Sequence, residues 1–378
     1  MKLMPRDGNA GQAKAQRDTP VTAPTPHDRI RGSLLGGAVG DALGAAIEFL
    51  ALAEIRRDFG PAGLRDYAAA YGRRGAITDD TQMTLFTTEG VLRAWVRQQE
   101  RGICGVSGVI HHAYLRWLLT QGVRPRRADI EIGTDGWLFG AAALHSQRAP
   151  GHTCLTALRT AEDQFGPTRA ANDSKGCGGV MRVAPIGLFA PTIGDDAQVF
   201  GLAADAAALT HGQPSGFLAA GYLAVTIAAL LRTEPLPAAL DAADTQLRTH
   251  ADHAEVADAL ARARTLAALG MPDPTRVESL GAGWIAEEAL AIAVYCALTA
   301  RDFADGVLLS VNHSGDSDST GAHTGNLLGA QLGHAAIPPR WLAELELRDA
   351  IERLANDLHA INSGALTATD AWDAYPGW

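Results

Sequence analysis

The chain has 378 residues, of which 47% are hydrophobic and 20% are charged, and its formal net charge is −10. This composition supports a large buried core and excludes a broadly disordered chain. The negative charge, without any Lys/Arg-rich block, argues against a nucleic-acid-binding protein, which needs a positive face. Four cysteines without a CxxC pair are typical of a reducing compartment, so we expect a cytoplasmic protein.

Residues 1–27 are rich in Pro, Gly and charged side chains and show no apolar periodicity. They predict a flexible N-terminal arm without the apolar stretch of a secretory signal. Residues 28–378 are predicted to form a single domain. The longest apolar run in this domain, Phe217–Leu231, is shorter than the roughly 18 residues that a membrane span needs. It predicts a buried core helix, and we expect no membrane association.

The domain is predicted to be all-α, because Ala, Leu and Gly recur at helical spacing and few segments alternate apolar and polar residues. One helix is expected to follow Asp80, with Leu85 and Leu92 on its apolar face and Arg93 turned to solvent. Residues 233–270 predict two amphipathic helices at the periphery.

Two rows of glycines, each with a spacing of four residues, are a less ordinary feature. They are Gly32, Gly36, Gly40 and Gly44 near the start, and Gly321, Gly325, Gly329 and Gly333 near the end. A glycine inside a helix costs about 1 kcal/mol relative to alanine, so the rows need a reason. They predict two central helices whose axes approach closely.

Two acidic segments each lie directly beside a predicted helix: Thr78–Thr81 and Asp316–Thr320. Capping a helix needs one side-chain oxygen, whereas these segments carry several carboxylates that repel one another unless a cation binds them. Donors that are all oxygen favour Mg²⁺ or Mn²⁺ over Zn²⁺. The two segments together predict a metal centre, with helix caps or solvated turns as the alternative.

Three further features are candidates for ligand binding or catalysis. The glycine-rich turn Ser174–Gly179 has backbone N–H groups that can bind a phosphate, although a plain flexible turn has the same composition. Asp41 and Glu48 lie in an apolar stretch, where an unpaired carboxylate is costly, so at least one of them is expected to serve a metal ion or catalysis. His211 precedes a long apolar helix and is either a ligand contact or a structural histidine.

In this order, the motifs resemble those of the ADP-ribosylglycohydrolase family, which includes the dinitrogenase-reductase-activating glycohydrolases and the hydrolases of ADP-ribosylarginine and ADP-ribosylserine. The matching segments are Gly40–Gly44 with Glu48, Ile77–Thr81, Ser174–Pro185, Leu209–His211 and Ser314–Thr320. Five ordered motifs make the resemblance specific. The chain departs from the family pattern at Cys177, where Asn is frequent, at Ser319, where Thr is commoner, and in residues 1–27, which have no counterpart.

The resemblance implies an orthogonal multi-helix bundle with two Mg²⁺ ions, or Mn²⁺ in their place, at the bottom of a central cleft. The implied metal ligands are Thr78, Asp79, Asp80, Asp316, Asp318 and Ser319, with Asp318 bridging both ions. The implied ligand-binding residues are Gly176, Cys177, Gly178 and Gly179 for phosphate and His211 for ADP-ribose. The implied catalytic residues are Glu48, Asp80 and Asp318, and Asp41 is expected to support the metal ligands.

The activity that the resemblance implies is Mg²⁺-dependent hydrolysis of the glycosidic bond between ADP-ribose and a protein side chain, for which we expect arginine. Glu48 or a metal-ligating Asp is the expected general base. The expected partner is an ADP-ribosylated protein. An alternative is a protein that binds ADP-ribose without cleaving it, or that neutralises an ADP-ribosyltransferase through residues 1–27. A hydrolase of another phosphorylated sugar also fits the residues.

Overall fold

The computed structural model describes residues 23–377, and these are predominantly helical. The first helix, α1 (Pro26–Gly44), includes the last two residues of the predicted arm. Its N-terminus is closed by a capping box, in which the Asp28 N–H donates to Thr25 Oγ1 at 3.1 Å and the Thr25 N–H donates to Asp28 Oδ2 at 3.2 Å. Residues 1–22, and with them the proposed contact with an ADP-ribosyltransferase, lie outside the described residues, as does Trp378.

The described residues contain eighteen α-helices, which confirms the prediction of an all-α fold. After α1 they are α2 (Leu52–Phe59), α3 (Asp79–Arg101), α4 (Val106–Thr120), α5 (His152–Arg159), α6 (Ala184–Leu188), α7 (Ala190–Ile193), α8 (Asp196–Ala208), α9 (Pro214–Leu231), α10 (Leu236–Leu247), α11 (Ala254–Ala267), α12 (Pro274–Leu280), α13 (Ala286–Thr299), α14 (Phe303–Val311), α15 (Ser317–Leu332), α16 (Pro339–Glu344), α17 (Arg348–Asn362) and α18 (Ala368–Ala371). Short 3₁₀ turns lie at Ala142–Leu144, Cys177–Gly179 and His334–Ala336, and β1 (Ala69–Ala70) pairs antiparallel with β2 (Arg73–Arg74).

The centre of the fold is the antiparallel packing of α1 against α15, which makes the most extensive helix contact among the described residues. The two glycine rows face each other along this contact. A Cβ built on Gly36 or on Gly325 would overlap the carbonyl oxygen of the other residue. The predicted close approach of two central helices is therefore confirmed. At one end of the contact, Gly44 lies against the backbone of Asp318, so the turn after α1 is held beside the start of α15.

Gly325→Ala is expected to destabilise the protein by roughly 1–3 kcal/mol or more, because the added methyl group would overpack the α1–α15 contact. A matched control is Gly201→Ala in α8, where a built Cβ meets no atom within 4 Å. This control should raise the stability by up to about 1 kcal/mol through helix propensity alone. Chemical denaturation of the two variants measures the difference, and equal free energies of unfolding would contradict the packing argument.

Helix α3 buries charged groups as well as apolar ones. The prediction that Arg93 points to solvent is wrong, because its side chain is buried and pairs with Glu89 and Asp135, each at 3.0 Å. Glu89 also pairs with Arg116 of α4 at 2.7 Å. Glu89 thus pairs with one arginine on its own helix and one on α4, and these buried charges satisfy each other's hydrogen bonds.

Helix α9 is long and apolar enough to cross a membrane by length and composition, and 89% of it is buried inside the fold. It packs between α8, α10, α6 and α13. This burial agrees with the predicted core helix, since an all-apolar helix of a globular protein lies inside it. Helices α10 and α11 confirm the two helices predicted in residues 233–270.

Candidate metal centre and ligand cavity

The N-terminal ends of α3 and α15 meet at one cavity with a volume of about 330 Å³. Asp79 and Asp80 line it from α3, while Asp316 and Asp318 line it from the start of α15. The turn after α1 and the glycine-rich turn complete its wall. The two acidic segments, although distant in the sequence, therefore converge as expected.

Asp41 of α1 holds the start of α3 in place. Its carboxylate accepts hydrogen bonds from the Thr78 N–H at 2.9 Å, from the Thr81 N–H at 3.1 Å and from the Thr81 hydroxyl. Three donors on one carboxylate fix the helix end against α1. Asp41 lies behind the cavity wall and positions the acidic turn. This is the supporting role expected for it from the sequence.

Glu48, Asp316 and Asp318 form an acidic cluster in which one carboxylate oxygen of each residue lies within 4.8 Å of one oxygen of each of the other two. Asp316 caps α15, since its Oδ1 accepts from the Ser319 N–H at 3.3 Å. Glu48 reaches the cluster from the turn after α1, whose position follows from the close packing of α1 on α15. This spacing suits oxygen ligands that share a divalent ion.

Two carboxylate oxygens in the cavity, Oε2 of Glu48 and Oδ2 of Asp80, are buried without a hydrogen-bond partner among the described residues. Burial, reinforced by the charge of Asp318, raises the pKa of Glu48 to about 10. Burial and the same neighbour raise the pKa of Asp80 well above its usual value. A cation between the carboxylates removes this penalty. The donors, oxygen atoms apart from the Cys177 thiol, fit a hard ion such as Mg²⁺ or Mn²⁺.

The metal-free protein is expected to become less stable as the pH rises. Burial and the charge of Asp318 raise the pKa of Asp41 to about 7 and that of Glu48 to about 10. Such groups bind more protons in the folded state, so their stabilising contribution is complete below the ordinary carboxyl pKa and is lost as the pH rises through the folded-state value. Thermal unfolding in chelator should give a lower Tm at about pH 8 than at about pH 5.

The same experiment with Mg²⁺ provides the control. Mg²⁺ should raise the Tm strongly at the higher pH, where the carboxylates are ionised, and little at the lower pH, where protons compete for the ligand oxygens. A metal-free Tm that does not fall with pH, or a Mg²⁺ effect of equal size at both pH values, would contradict the proposed electrostatics of the cavity.

The glycine-rich turn forms another wall of the cavity and packs tightly against its surroundings. A Cβ added to Gly178 would lie 2.9 Å from Cys154 Sγ and 3.1 Å from Cε1 of His211. The His211 Nδ1 lies 2.8 Å from Thr210 Oγ1, and burial lowers the pKa of His211 to about 3. The imidazole at this wall is therefore neutral and can serve as a hydrogen-bonding group.

The same turn is fastened to the start of α13. The Cys177 N–H donates to the Trp284 carbonyl at 3.1 Å, and the Ala286 N–H donates to the Lys175 carbonyl at 2.8 Å. The Lys175 ammonium also pairs with Glu255 of α11, which ties the peripheral helices to the cavity wall. The Cys177 N–H therefore already has a hydrogen-bond partner within the protein. The Cys177 thiol donates a hydrogen bond to Asp316 Oδ2 at 2.8 Å.

Most of the site residues predicted from the sequence line this cavity. They are Glu48, Asp79, Asp80, Gly176, Cys177, Gly178, His211, Asp316, Asp318 and Ser319. The structure places Thr78 and Gly179 behind the wall. The Thr78 hydroxyl accepts from the Asp80 N–H at 3.3 Å, and a Cβ on Gly179 would lie 2.8 Å from the Gly216 carbonyl oxygen.

Sequence reasoning missed two parts of the cavity. Residues 149–153 line it, and the Gly151 N–H donates to Asp79 Oδ2 at 3.0 Å. At the rim, the exposed rings of Phe49 and Trp284 stack with their centroids 5.3 Å apart. Residues 149–153 belong to a loop without a recognisable motif, so the sequence does not predict that they line the cavity. The two aromatic residues could have been found, because Phe49 follows Glu48 and Trp284 follows a pair of glycines.

Comparison with known proteins gives consistent results. The ADP-ribosylglycohydrolase family model matches residues 22–366. The ADP-ribosyl-[dinitrogen reductase] glycohydrolase of Rhodospirillum rubrum is 27% identical, over 87% of this chain and 94% of that protein. The ADP-ribosylarginine hydrolase Tri1 of Pseudomonas putida is 26% identical, over 88% of this chain and 78% of that protein. The ADP-ribosylhydrolase ARH3 of Gallus gallus is 25% identical, over 93% of this chain and 97% of that protein.

A solved structure, described as an ADP-ribosylglycohydrolase-related protein complex, shares the fold with a TM-score of 0.64. It is 29% identical in sequence, and the match covers 89% of this chain and 99% of that one. The family match extends over almost the whole described chain and includes every segment that lines the cavity. The chain is therefore an enzyme of the ADP-ribosylglycohydrolase family.

Proposed function

We propose that this enzyme releases ADP-ribose from a modified arginine side chain of a protein and that it needs two Mg²⁺ ions, for which Mn²⁺ can substitute. One observation carries the proposal: carboxylates from two helix N-termini converge with Glu48 below a cavity of about 330 Å³, and buried oxygens of Glu48 and Asp80 have no partner in the described chain. The volume lies in the range of small-molecule sites.

The metal-binding role falls to the carboxylates of Asp79, Asp80, Asp316 and Asp318. Divalent cations bound there supply Lewis-acid stabilisation and a template for the ribose hydroxyls. Ser319 adds a hydroxyl at the same wall. The hydrogen bonds from Thr78 and Thr81 to Asp41 keep the α3 ligands in position before the substrate arrives.

Glu48 is the proposed general base. Its half-buried carboxyl group lies beside Asp316 and Asp318 and faces the cavity. Its raised pKa falls once the neighbouring carboxylates bind cations, so that it can accept a proton from the water that attacks the anomeric carbon. Gly176, Gly178 and the neutral His211 line the wall proposed to bind the diphosphate.

The arginine linkage is supported by the rim of the cavity and by one of the relatives, which is an ADP-ribosylarginine hydrolase. The stacked rings of Phe49 and Trp284 line the cavity together with Glu48 and are exposed, so we place the leaving side chain of the substrate beside them. Aromatic faces bind the planar guanidinium group of arginine by stacking. A serine linkage offers no such cation to the rim.

Trp284→Ala is expected to lower kcat/KM for an arginine-linked substrate by about 2- to 5-fold, which corresponds to the loss of one exposed cation–π contact. The same variant should hydrolyse a serine-linked substrate with little change relative to the unmodified chain. The Trp284 carbonyl, which anchors Cys177, is retained in the variant. Steady-state kinetics on both substrates gives the ratio, and an equal loss on both would contradict guanidinium recognition at the rim.

The experiment that tests the proposed function uses the purified full chain with arginine-linked and serine-linked ADP-ribosylated proteins, with Mg²⁺ and with excess chelator. We expect release of free ADP-ribose from the arginine-linked protein only when Mg²⁺ is present. Asp258→Asn, in an exposed part of α11, is a matched control and should behave like the unmodified chain. Release that continues in excess chelator, or none from either protein, would overturn the proposal.

A further inference from the structure

The cavity wall carries a thiol directly beside the acidic cluster. Cys177 Sγ lies 2.8 Å from Asp316 Oδ2 and 3.5 Å from Ser319 Oγ. Cys177 is partly exposed and lines the cavity, so an ion that enters the cavity can reach its sulfur. A hard-ion site made of oxygen donors does not need this group, because thiolates select softer metals.

A second feature of the same cavity is a buried carboxylate oxygen without a partner, and its charge acts on the Cys177 thiol. Asp80 is only 3% exposed, and its Oδ2 has no hydrogen-bond partner among the described residues. Asp80, Asp316 and Cys177 line the same cavity. The thiol therefore lies in strongly negative surroundings that contain an unused ligand oxygen.

The other thiol of the cavity lies in different surroundings. Cys154 Sγ is 3.5 Å from a guanidinium nitrogen of Arg182, and the Cys154 side chain is fully buried. A cation bound to this sulfur would be repelled by the arginine. Cys177, by contrast, contacts the carboxylate of Asp316 directly.

We propose that Cys177 and Asp316, with Asp80, bind a soft or borderline divalent cation such as Cd²⁺ or Zn²⁺. On binding, the S–H proton is released to solvent and a sulfur–metal bond forms in its place. Sulfur and oxygen ligands of a tetrahedral Zn²⁺ ion, at about 2.3 Å and 2.1 Å from the metal, lie about 3.6 Å apart. The Cys177–Asp316 pair, now at hydrogen-bond distance, reaches this separation by side-chain rotation.

The binding itself goes beyond the proposed hydrolysis and depends on the donor atoms alone. Its consequence for the enzyme rests on the proposed function: Asp316 belongs to both ligand sets, so a soft ion held by Cys177 competes with Mg²⁺ for this carboxylate. Because thiolate ligands favour the soft ion, the family's usual cation is the weaker competitor at this position.

The test is a titration of the reduced, metal-free full chain with Cd²⁺, followed by the ultraviolet charge-transfer band of the cadmium–thiolate bond. We expect the band in the unmodified chain and in Cys104→Ser, whose thiol lines a different cavity. Cys177→Ser should lose the band while keeping its circular dichroism spectrum. Asp316→Asn should retain the band with an affinity weakened by at least about 10-fold.

A second measurement needs no substitution and covers the case in which Cys177→Ser fails to fold. Alkylation of the unmodified chain, mapped by mass spectrometry, should show that Cd²⁺ protects Cys177 and leaves Cys104 reactive. A band that persists in folded Cys177→Ser, or a chain with neither band nor protection, would overturn the inference. The cadmium–thiolate band and the alkylation of Cys177 do not depend on catalysis. The proposed function is therefore tested separately, by the release of ADP-ribose with Mg²⁺.

Discussion

Asp318→Asn is expected to slow the release of ADP-ribose by at least about 10³-fold, because several kcal/mol of metal-ion stabilisation depend on this carboxylate. Asp318 is buried, and one of its oxygens lies within 4.8 Å of an oxygen of Glu48 and an oxygen of Asp316. It is therefore placed to contact any cation that the two acidic turns share. Isothermal titration with Mg²⁺ should show the matching loss of metal affinity.

The same substitution should make the metal-free protein more stable. The charge of Asp318 contributes to the raised pKa values of Asp41, Glu48 and Asp80. Asn keeps the size of the side chain and removes this repulsion, so Tm in chelator should rise while turnover falls. Asp258→Asn serves again as the control. A variant with normal turnover, or one that loses activity because it unfolds, would contradict this role of Asp318.

Glu48→Gln is expected to lower kcat by about 10²- to 10⁴-fold, the range for removal of a general base. Gln cannot accept the proton from the attacking water, whereas its size and position on the turn after α1 are unchanged. Mg²⁺ binding should persist, because the carboxylates of Asp316 and Asp318 remain. The loss should appear in kcat more than in KM, as for an interaction made only in the transition state.

Unchanged kinetics of Glu48→Gln would transfer the role of the base to another carboxylate of the cavity, with Asp80 and its unpartnered oxygen as the next candidate. A pH–rate profile separates the two cases. When Mg²⁺ saturates the site at every pH, the acidic limb of the profile disappears in the variant if Glu48 is the base and remains if Asp80 is the base.

The two glycine rows and the two acidic segments predicted the central helix contact and the clusters of ligand side chains. Glycines spaced four apart predict a close helix contact, and α1 and α15 make it along Gly36 and Gly325. Carboxylates beside helix starts predict ligand clusters. That Asp79 and Asp318 share one cavity follows from no local pattern, since it depends on the packing of α1, α3 and α15. The family resemblance supplied this part.

Other features could not be read from residue spacing. Arg93 has the position of a solvent-facing residue on α3, but it pairs with Glu89 one turn earlier on the same helix and with Asp135 from a distant part of the chain. The contact with Asp135 depends on the tertiary fold and outweighs the helical periodicity. The direction of the Cys177 thiol follows from the anchoring of its backbone to Trp284, a long-range contact. Gly151 reaches Asp79 from an irregular loop, for which helical patterns make no prediction.

The proposed hydrolysis needs two distant acidic turns that together hold a pair of divalent cations. Anomalous diffraction from crystals of the full chain grown with Mn²⁺ would locate these ions. Two neighbouring anomalous peaks, one contacted by Asp79 or Asp80 and both contacted by Asp318, are the predicted result. A cavity without a peak in crystals that bind Mn²⁺ elsewhere, or peaks that touch only one of the two turns, would contradict the account.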